Sequence, residues 1–272
     1  MSHDIDLVYG AVWDDGRVAL RRGRVDLAMK LVFNAVLQRP DWINMDKIMQ
    51  IETEFGLRSV FFWLANRGKI NAREVNADYS ILHPRIRREM AEVNRRGFEN
   101  GIHKSIGRES LSAEMDKFPH KPMANRQHYL KFRIPDLYHQ CDEAGIAVDC
   151  SLGFAEQPGF RNSCGLPFRP FDLTADRAYR VTEVPLHMMD FTYFKYKGLT
   201  ANAAQQEIID FFEKHRHNAL LSVLWHNTFF SSVQYRDYPG VYTALLAWLH
   251  EQRFEALLPS QIPGHPLCLS DK

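Results

Sequence analysis

Apolar residues along this chain follow two alternating rhythms. Short continuous runs, Leu57 to Ala65 (LRSVFFWLA) and Ala219 to Trp225 (ALLSVLW), have the length of buried strands. Between such runs, apolar residues recur three and four apart, the mark of a helix with one buried face. Asn44 to Phe55 reads as a helix stopped by Gly56. Pro84 opens another, with Ile86, Met90 and Val93 on one face and Gly97 at its end. A short strand, Phe98 to Ile102, follows. Pro135 to Ala144 is a helix with Gly145 as its stop, and Ile146 to Cys150 and Val181 to Met188 are strands. Ala201 to His215 is a helix with Ile208, Phe211 and Phe212 inward. Val241, Leu245, Trp248 and Leu249 mark the last helix, before a short strand near Ala256 to Leu258. Leu7 to Val12 is a further strand candidate.

Strands alternating with helices imply a parallel sheet with helices outside. The expectation is one domain, residues 1–272, built as a distorted (β/α) barrel of six to eight parallel strands. A doubly wound open sheet is the alternative, weakened by the lack of a Gly-x-Gly-x-x-Gly after an early strand.

Bulk properties narrow the partners. The net charge is +1, so no long-range field favours nucleic acid or an anionic membrane. The basic run Arg85, Arg87, Arg88, Arg95, Arg96 reads as a solvated helix face. Cys141, Cys150, Cys164 and Cys268 form no Cys-x-x-Cys pair, which suits free thiols in the cytosol. No apolar run approaches the roughly 20 residues of a membrane helix, and no signal-peptide pattern is visible. A cytoplasmic protein is expected.

The candidate chemistry lies at strand ends, where barrel active sites are built. His103, Asp149, Asp190 and His226 each follow an apolar run. Asp4 and Asp6, two apart, share a face of any extended segment, so one carboxylate can ligate a metal while the other takes a proton from water. Taken alone, a terminal aspartate pair is ordinarily solvated and a lone histidine ordinarily structural. Arg126 can hold a carboxylate by its fork, and His226 can protonate a leaving amine. Asp14-Asp15 is a second early pair, with Asp15-Gly16 also readable as a turn. Trp63, Phe154, Phe160, Trp225 and Phe229 suit sugar stacking or, more simply, core packing.

Several stretches in order carry a family resemblance: Ser2-His3-Asp4-Ile5-Asp6, residues 55–62 (FGLRSVFF), residues 97–103 (GFENGIH), residues 126–130 (RQHYL), residues 149–154 (DCSLGF), Gly159-Phe160-Arg161 with Pro167-Phe168, and Leu224-Trp225-His226-Asn227. With these, the chain resembles the polysaccharide deacetylases, the NodB-like carbohydrate esterases. Within them it is similar to a divergent branch found with lipopolysaccharide O-antigen and capsule genes. The resemblance implies a distorted β/α barrel, a divalent metal (usually zinc) and hydrolysis of an N-acetyl group on a sugar. It implies Asp4 as the base, Asp6 and His103 as metal ligands, Arg126 as the support of the base, the Tyr129 backbone N–H at the oxyanion and His226 as the acid.

Two departures from the family pattern shape the expectations. The usual His-x-x-x-His is broken, because Gly107 stands four residues after His103. His128, where typical members carry proline, is the candidate third ligand. Only Met1 to His3 precede Asp4, where members carry a strand. Either Asp4 and Asp6 are the working pair, or Leu7 to Val12 is that strand and Asp14 and Asp15 take over. The leading expectation is a metal-dependent deacetylase acting on an N-acylated sugar, nucleotide-linked, lipid-linked or oligomeric, in O-antigen or capsule assembly. The alternative is a catalytically inactive deacetylase-fold protein that binds a glycan or a pathway partner. A third reading is a barrel glycosidase using Asp149, Asp190 or Glu183. An oligomer is left open.

Overall fold

The computed structural model describes every residue except 38–40, 73, 232, 236 and 269–272. In chain order the elements are β1 (Ser2–Ile5), α1 (Ala11–Arg21), α2 (Val25–Val36), α3 (Met45–Glu54), β2 (Val60–Leu64), α4 (Pro84–Arg95), β3 (Glu99–Lys104), α5 (Leu111–Met115), β4 (Ala124–Gln127), α6 (Asp136–Ala144) and β5 (Val148–Asp149). A small antiparallel pair, β6 (Phe171–Asp172) and β7 (Arg177–Ala178), follows. Then come β8 (Thr182–Glu183), β9 (Met188–Met189), α7 (Ala201–His215), β10 (Val223–Leu224) and α8 (Tyr238–Glu251).

Eight strands form one parallel sheet in the order β8-β5-β4-β3-β2-β1-β10-β9. Its two edges, β8 and β9, are neighbours in the chain. Five residue steps from Glu183 to Met188 span at most about 18 Å. A flat eight-stranded sheet would hold its edges about 33 Å apart. The sheet must therefore curl on itself, and the segment between β8 and β9 seals it. Val184 donates its N–H to Asp149 O and Leu186 to Leu152 O on the β5 side, while His187 donates to Ser222 O on the β10 side.

The side-chain period of two sorts the core into layers. Val60, Phe62, Ala124, Val148, Cys150 and Val184 pack inside the curl. Phe61, Trp63 and Ile102 point outward, into a larger cluster with Ile48, Ile86, Met90 and Leu245 of the covering helices. Helix limits follow local chemistry: Pro84 occupies the first turn of α4, and Gly145 closes α6 in the left-handed region at φ 74°.

The (β/α) barrel with parallel strands agrees with the sequence expectation, as do the helices at 45–54, 84–95, 136–144 and 201–215. Three strand expectations are corrected. Val181 to Met188 is two short strands, because Pro185 has no N–H to give and the chain changes neighbours there. Ala256 to Leu258 is not a strand but leads into the turn Pro259–Gln261. Leu7 to Val12 is not a strand either, since α1 begins at Ala11 and the first strand is Ser2–Ile5.

Candidate active site

Alternation along β1 turns Ser2 and Asp4 into the barrel, with Asp6 just beyond on the same side, and His3 and Ile5 outward. His3 lies between Trp225 O (2.6 Å) and Glu52 Oε1 (2.8 Å). His3 thus bridges the Trp225 carbonyl to Glu52 behind the sheet. On the inner side, fully buried Arg126 of β4 ties the floor together. Its Nη1 donates to Asp4 Oδ1 and to Ser2 Oγ, both at 2.9 Å, and its Nε donates to Cys150 O at 3.0 Å. The guanidinium lies 4.6 Å from the centre of the Phe62 ring.

Above this floor, Asp6, His103 and His128 converge. His103 Nδ1 donates to Arg126 O (2.9 Å), and His128 Nε2 donates to Val75 O (2.9 Å). Carbonyls accept only, so in the neutral rings His103 Nε2 and His128 Nδ1 both carry lone pairs. These two nitrogens stand 3.0 Å apart. Asp6 Oδ1 lies 3.4 Å from the first and 3.7 Å from the second, buried and without a hydrogen-bond partner. Three electron-rich atoms facing one another repel unless a proton or a metal cation lies among them. A tetrahedral centre with ligand bonds of about 2.1 Å has ligand–ligand edges of about 3.4 Å. The edges here are 3.0, 3.4 and 3.7 Å, so the residues fit a divalent metal. Three protein ligands leave a position open, as catalytic metal sites do.

Opposite stands His226, two residues past β10. Its ring Nδ1 donates to Asp190 Oδ1 (2.8 Å), and its backbone N–H donates to Asp190 Oδ2 (2.6 Å). Its Nε2 lies 3.7 Å from Asp6 Oδ2. Burial alone would push this imidazole down, but the charge of Asp190 and its hydrogen bond, with Asp6 and Asp4 behind, lift it to about 9. Burial would raise Asp6, yet His128, His103 and His226 pull it below the usual carboxylate range. His128 is lowered by burial, opposed by Asp6. His103 is raised, Asp4 and Asp6 outweighing its burial.

These groups open into a cavity of about 340 Å³ walled by Tyr129, Leu130, Met189, Phe191, Lys195 and Tyr196. Tyr129 and Leu130 both take left-handed backbone angles, φ 57° and 50°. Each costs on the order of 1–3 kcal/mol, a strain that persists at sites where geometry matters.

The structure brings together all seven expected site residues, Asp4, Asp6, His103, Arg126, His128, Tyr129 and His226. It does not bring Asp14 and Asp15 with them. Both lie on α1, where buried Asp15 accepts from Trp42 Nε1 (3.1 Å) and Ser231 Oγ (2.6 Å). Of the three carboxylates offered for a glycosidase, Asp149 and Glu183 are fully buried neighbours across the β5–β8 ladder and do not wall this cavity, and Asp190 is hydrogen-bonded to His226. Trp63, Trp225 and Phe229 are core, while Phe154 and Phe160 are half-buried. The cavity aromatics are instead Tyr129, Phe191 and Tyr196. Sequence reading missed the Val75 carbonyl that fixes His128, since a backbone acceptor leaves no residue-type signal. It placed Asp190 at a strand end but did not pair it with His226.

No family model matches the sequence, and neither does any curated protein. Solved structures do match. One is described as a "putative polysaccharide deacetylase" from Mycobacterium smegmatis, with 14% identity, TM-score 0.56, and 100% of this chain and 94% of that one covered. Another is WbmS of Bordetella bronchiseptica, described as a "putative polysaccharide deacetylase involved in o-antigen biosynthesis", with 16% identity, TM-score 0.41, and 76% and 78% covered. A third is 4-alpha-glucanotransferase from Thermococcus litoralis, with 12% identity, TM-score 0.49, and 80% and 33% covered. The full-length match fixes the architecture: the chain has the fold of the NodB-like polysaccharide deacetylases, a curled sheet of eight parallel strands clad in helices.

Proposed function

We propose that this chain is a metal-dependent hydrolase that removes an N-acyl group, N-acetyl in the first instance, from a sugar. The observation that carries the reading is the convergence of Asp6 Oδ1, His103 Nε2 and His128 Nδ1 at the edges of one coordination tetrahedron. A divalent ion, zinc by family resemblance, would be held by these three residues and would supply Lewis-acid polarisation of the acyl carbonyl and acidification of a water.

The surrounding residues then have defined work. Asp4, held by Arg126, accepts the proton of the attacking water as its oxygen bonds to the acyl carbon. The strained turn at Tyr129 offers its backbone N–H to the oxygen on which charge develops. His226, protonated through Asp190, gives its proton to the amine nitrogen as the carbon–nitrogen bond breaks. The products are a carboxylate and an amino sugar. By resemblance the sugar belongs to O-antigen or capsule assembly, carried in the cytoplasm on a nucleotide or a lipid.

The competing reading is a deacetylase-fold protein that has lost its metal, and Gly107 in place of the usual second histidine favours it. Against it, His128 reaches the position from the next strand. Metal content of protein purified without chelator or histidine tag decides between them, beside Asp6→Ala, His103→Ala and His128→Ala variants. One equivalent of metal, lost in all three, with chelator-sensitive acetate release from N-acetylated sugars, supports the enzyme. Near-zero metal that added zinc does not restore overturns it and leaves a binding role.

A further inference from the structure

Eight of the 17 large apolar side chains that stand exposed among the described residues lie between Trp13 and Leu37. That segment is the α1–α2 hairpin. It leaves the sheet beyond β1 and returns to the same place, where the Trp42 ring lies so close to Gly10 that a Cβ there would come within 2.7 Å. It is pinned at this end. Asn227 Nδ2 donates to Leu7 O (2.8 Å) and Trp42 O (2.9 Å), and Arg22 Nη1 donates to Val233 O (2.6 Å). Asn227 adjoins His226, so the hairpin rises from the end of the barrel that holds the metal cavity.

Helix α2 is apolar on two sides. Ala28 and Leu31 face inward, onto Ala19, Trp42 and Val233. Val25, Met29, Val32, Phe33 and Val36 recur three and four apart on the outside, with Met29 68%, Phe33 62% and Val36 75% exposed. A helix apolar nearly all round is ordinarily covered. The charges around it say by what. Arg17, Arg21 and Lys30 are exposed and form no ion pair among the described residues. Of the carboxylates, Asp26 pairs with Arg24 at 2.7 Å and Asp15 is buried, leaving Asp14, and Asp41 hydrogen-bonded to Asn34 of α2, against Arg17, Arg21, Arg22 and Lys30. The chain's net charge of +1 conceals this local excess.

We propose that the α1–α2 hairpin docks on an anionic phospholipid surface. Trp13, Met29, Phe33 and Val36 enter the boundary between headgroups and acyl chains, and Arg17, Arg21 and Lys30 stay with the phosphates. A second copy of this chain fits less well, because a two-fold interface would set the same cations against themselves. Docking turns the cavity end of the barrel toward the bilayer, as a sugar carried on a lipid requires. The binding itself does not depend on the deacetylase reading.

Vesicle flotation of the full chain tests this. The protein is expected to float with phosphatidylglycerol–phosphatidylethanolamine vesicles, weakly with phosphatidylcholine alone, and less as salt rises. Met29→Ser/Phe33→Ser, and separately Arg17→Glu/Arg21→Glu/Lys30→Glu, should each weaken partitioning about tenfold or more at unchanged melting temperature. Failure to float overturns the proposal, as does flotation that neither variant reduces. A dimer that the serine variant converts to monomer also overturns it and assigns the face to self-association.

Discussion

Asp190 holds His226 by two hydrogen bonds, one to the ring at 2.8 Å and one to its backbone N–H at 2.6 Å. The residue that sets the charge of the imidazole thus also sets its position. With the ring lifted to about 9, the protonated donor is present below that pH and lost as pH rises through it.

Asp190→Asn keeps the size and removes the charge. The alkaline limb of the kcat/KM profile is expected to move down by about one pH unit or more, toward the ordinary histidine value. At neutral pH kcat should fall by roughly 10²-fold or more. An unmoved limb in a folded, metal-loaded variant would remove His226 from the acid role.

Glu183 and Asp149 face each other in register, both fully buried. Glu183 Oε1 accepts from Leu152 N–H at 3.0 Å, and its other oxygen has no partner. Burial, then the charge of Asp149, pushes Glu183 well above the usual carboxylate range. A raised carboxyl favours its protonated form in the native state, so its stabilisation is complete at low pH and lost as pH rises through the folded value. Glu183→Gln, permanently neutral, should therefore gain on the wild type with rising pH, by about 1 kcal/mol or more at pH 9. Denaturant midpoints at pH 5 and 9 check this; a constant difference would mean that Glu183 is not raised in the native state.

His187 Nδ1 accepts the N–H of Ser222 at 3.0 Å, just before β10. Protonation would destroy that bond. Burial, with some help from His215, lowers this histidine to about 4. The unfolded chain then takes up a proton that the native state refuses, and stability falls as pH drops from 6.5 to 4, by up to about 3 kcal/mol. His187→Asn keeps an acceptor without titrating, so the acid side of its stability curve should flatten. A slope equal to the wild type would refute the assignment.

Gly101 is the place where Phe62 needs room. A Cβ there would meet the Phe62 ring at 2.5 Å, and that ring lies under Arg126. Gly101→Ala should destabilise by about 1–3 kcal/mol and lower kcat more than its melting temperature suggests, by tilting the support of Asp4. Wild-type kcat in a variant with a lowered melting temperature would separate Phe62 from that support.

The architecture was legible because periodicity survives where faces are buried: 84–95 and 201–215 are helices as their spacing predicts. The paired carboxylates were legible because a period of two places Asp4 and Asp6 together. What lay beyond reach was decided by partners far along the chain. Leu7 to Val12 looks like a strand, yet Asp78 accepts the N–H groups of Val8 and Tyr9 at 2.8 and 2.7 Å and turns the chain into α1. The tautomer of His128 depends on a carbonyl 53 residues away. Pro185 was visible, but that the chain changes neighbours there follows only once the sheet curls.

The join between β8 and β9 has a consequence for how this protein survives in a crowded solution. An open parallel sheet offers two rims of unspent backbone donors and acceptors on which another chain can build. Here each rim strand is two residues long, and the peptide between them spends its N–H groups on both sides of the gap. Of the positions that face outward there, Glu183 donates its N–H to Phe168 O and the next, Pro185, has none to give. The sheet is sealed by its own thread, and little of it remains for a neighbour to extend.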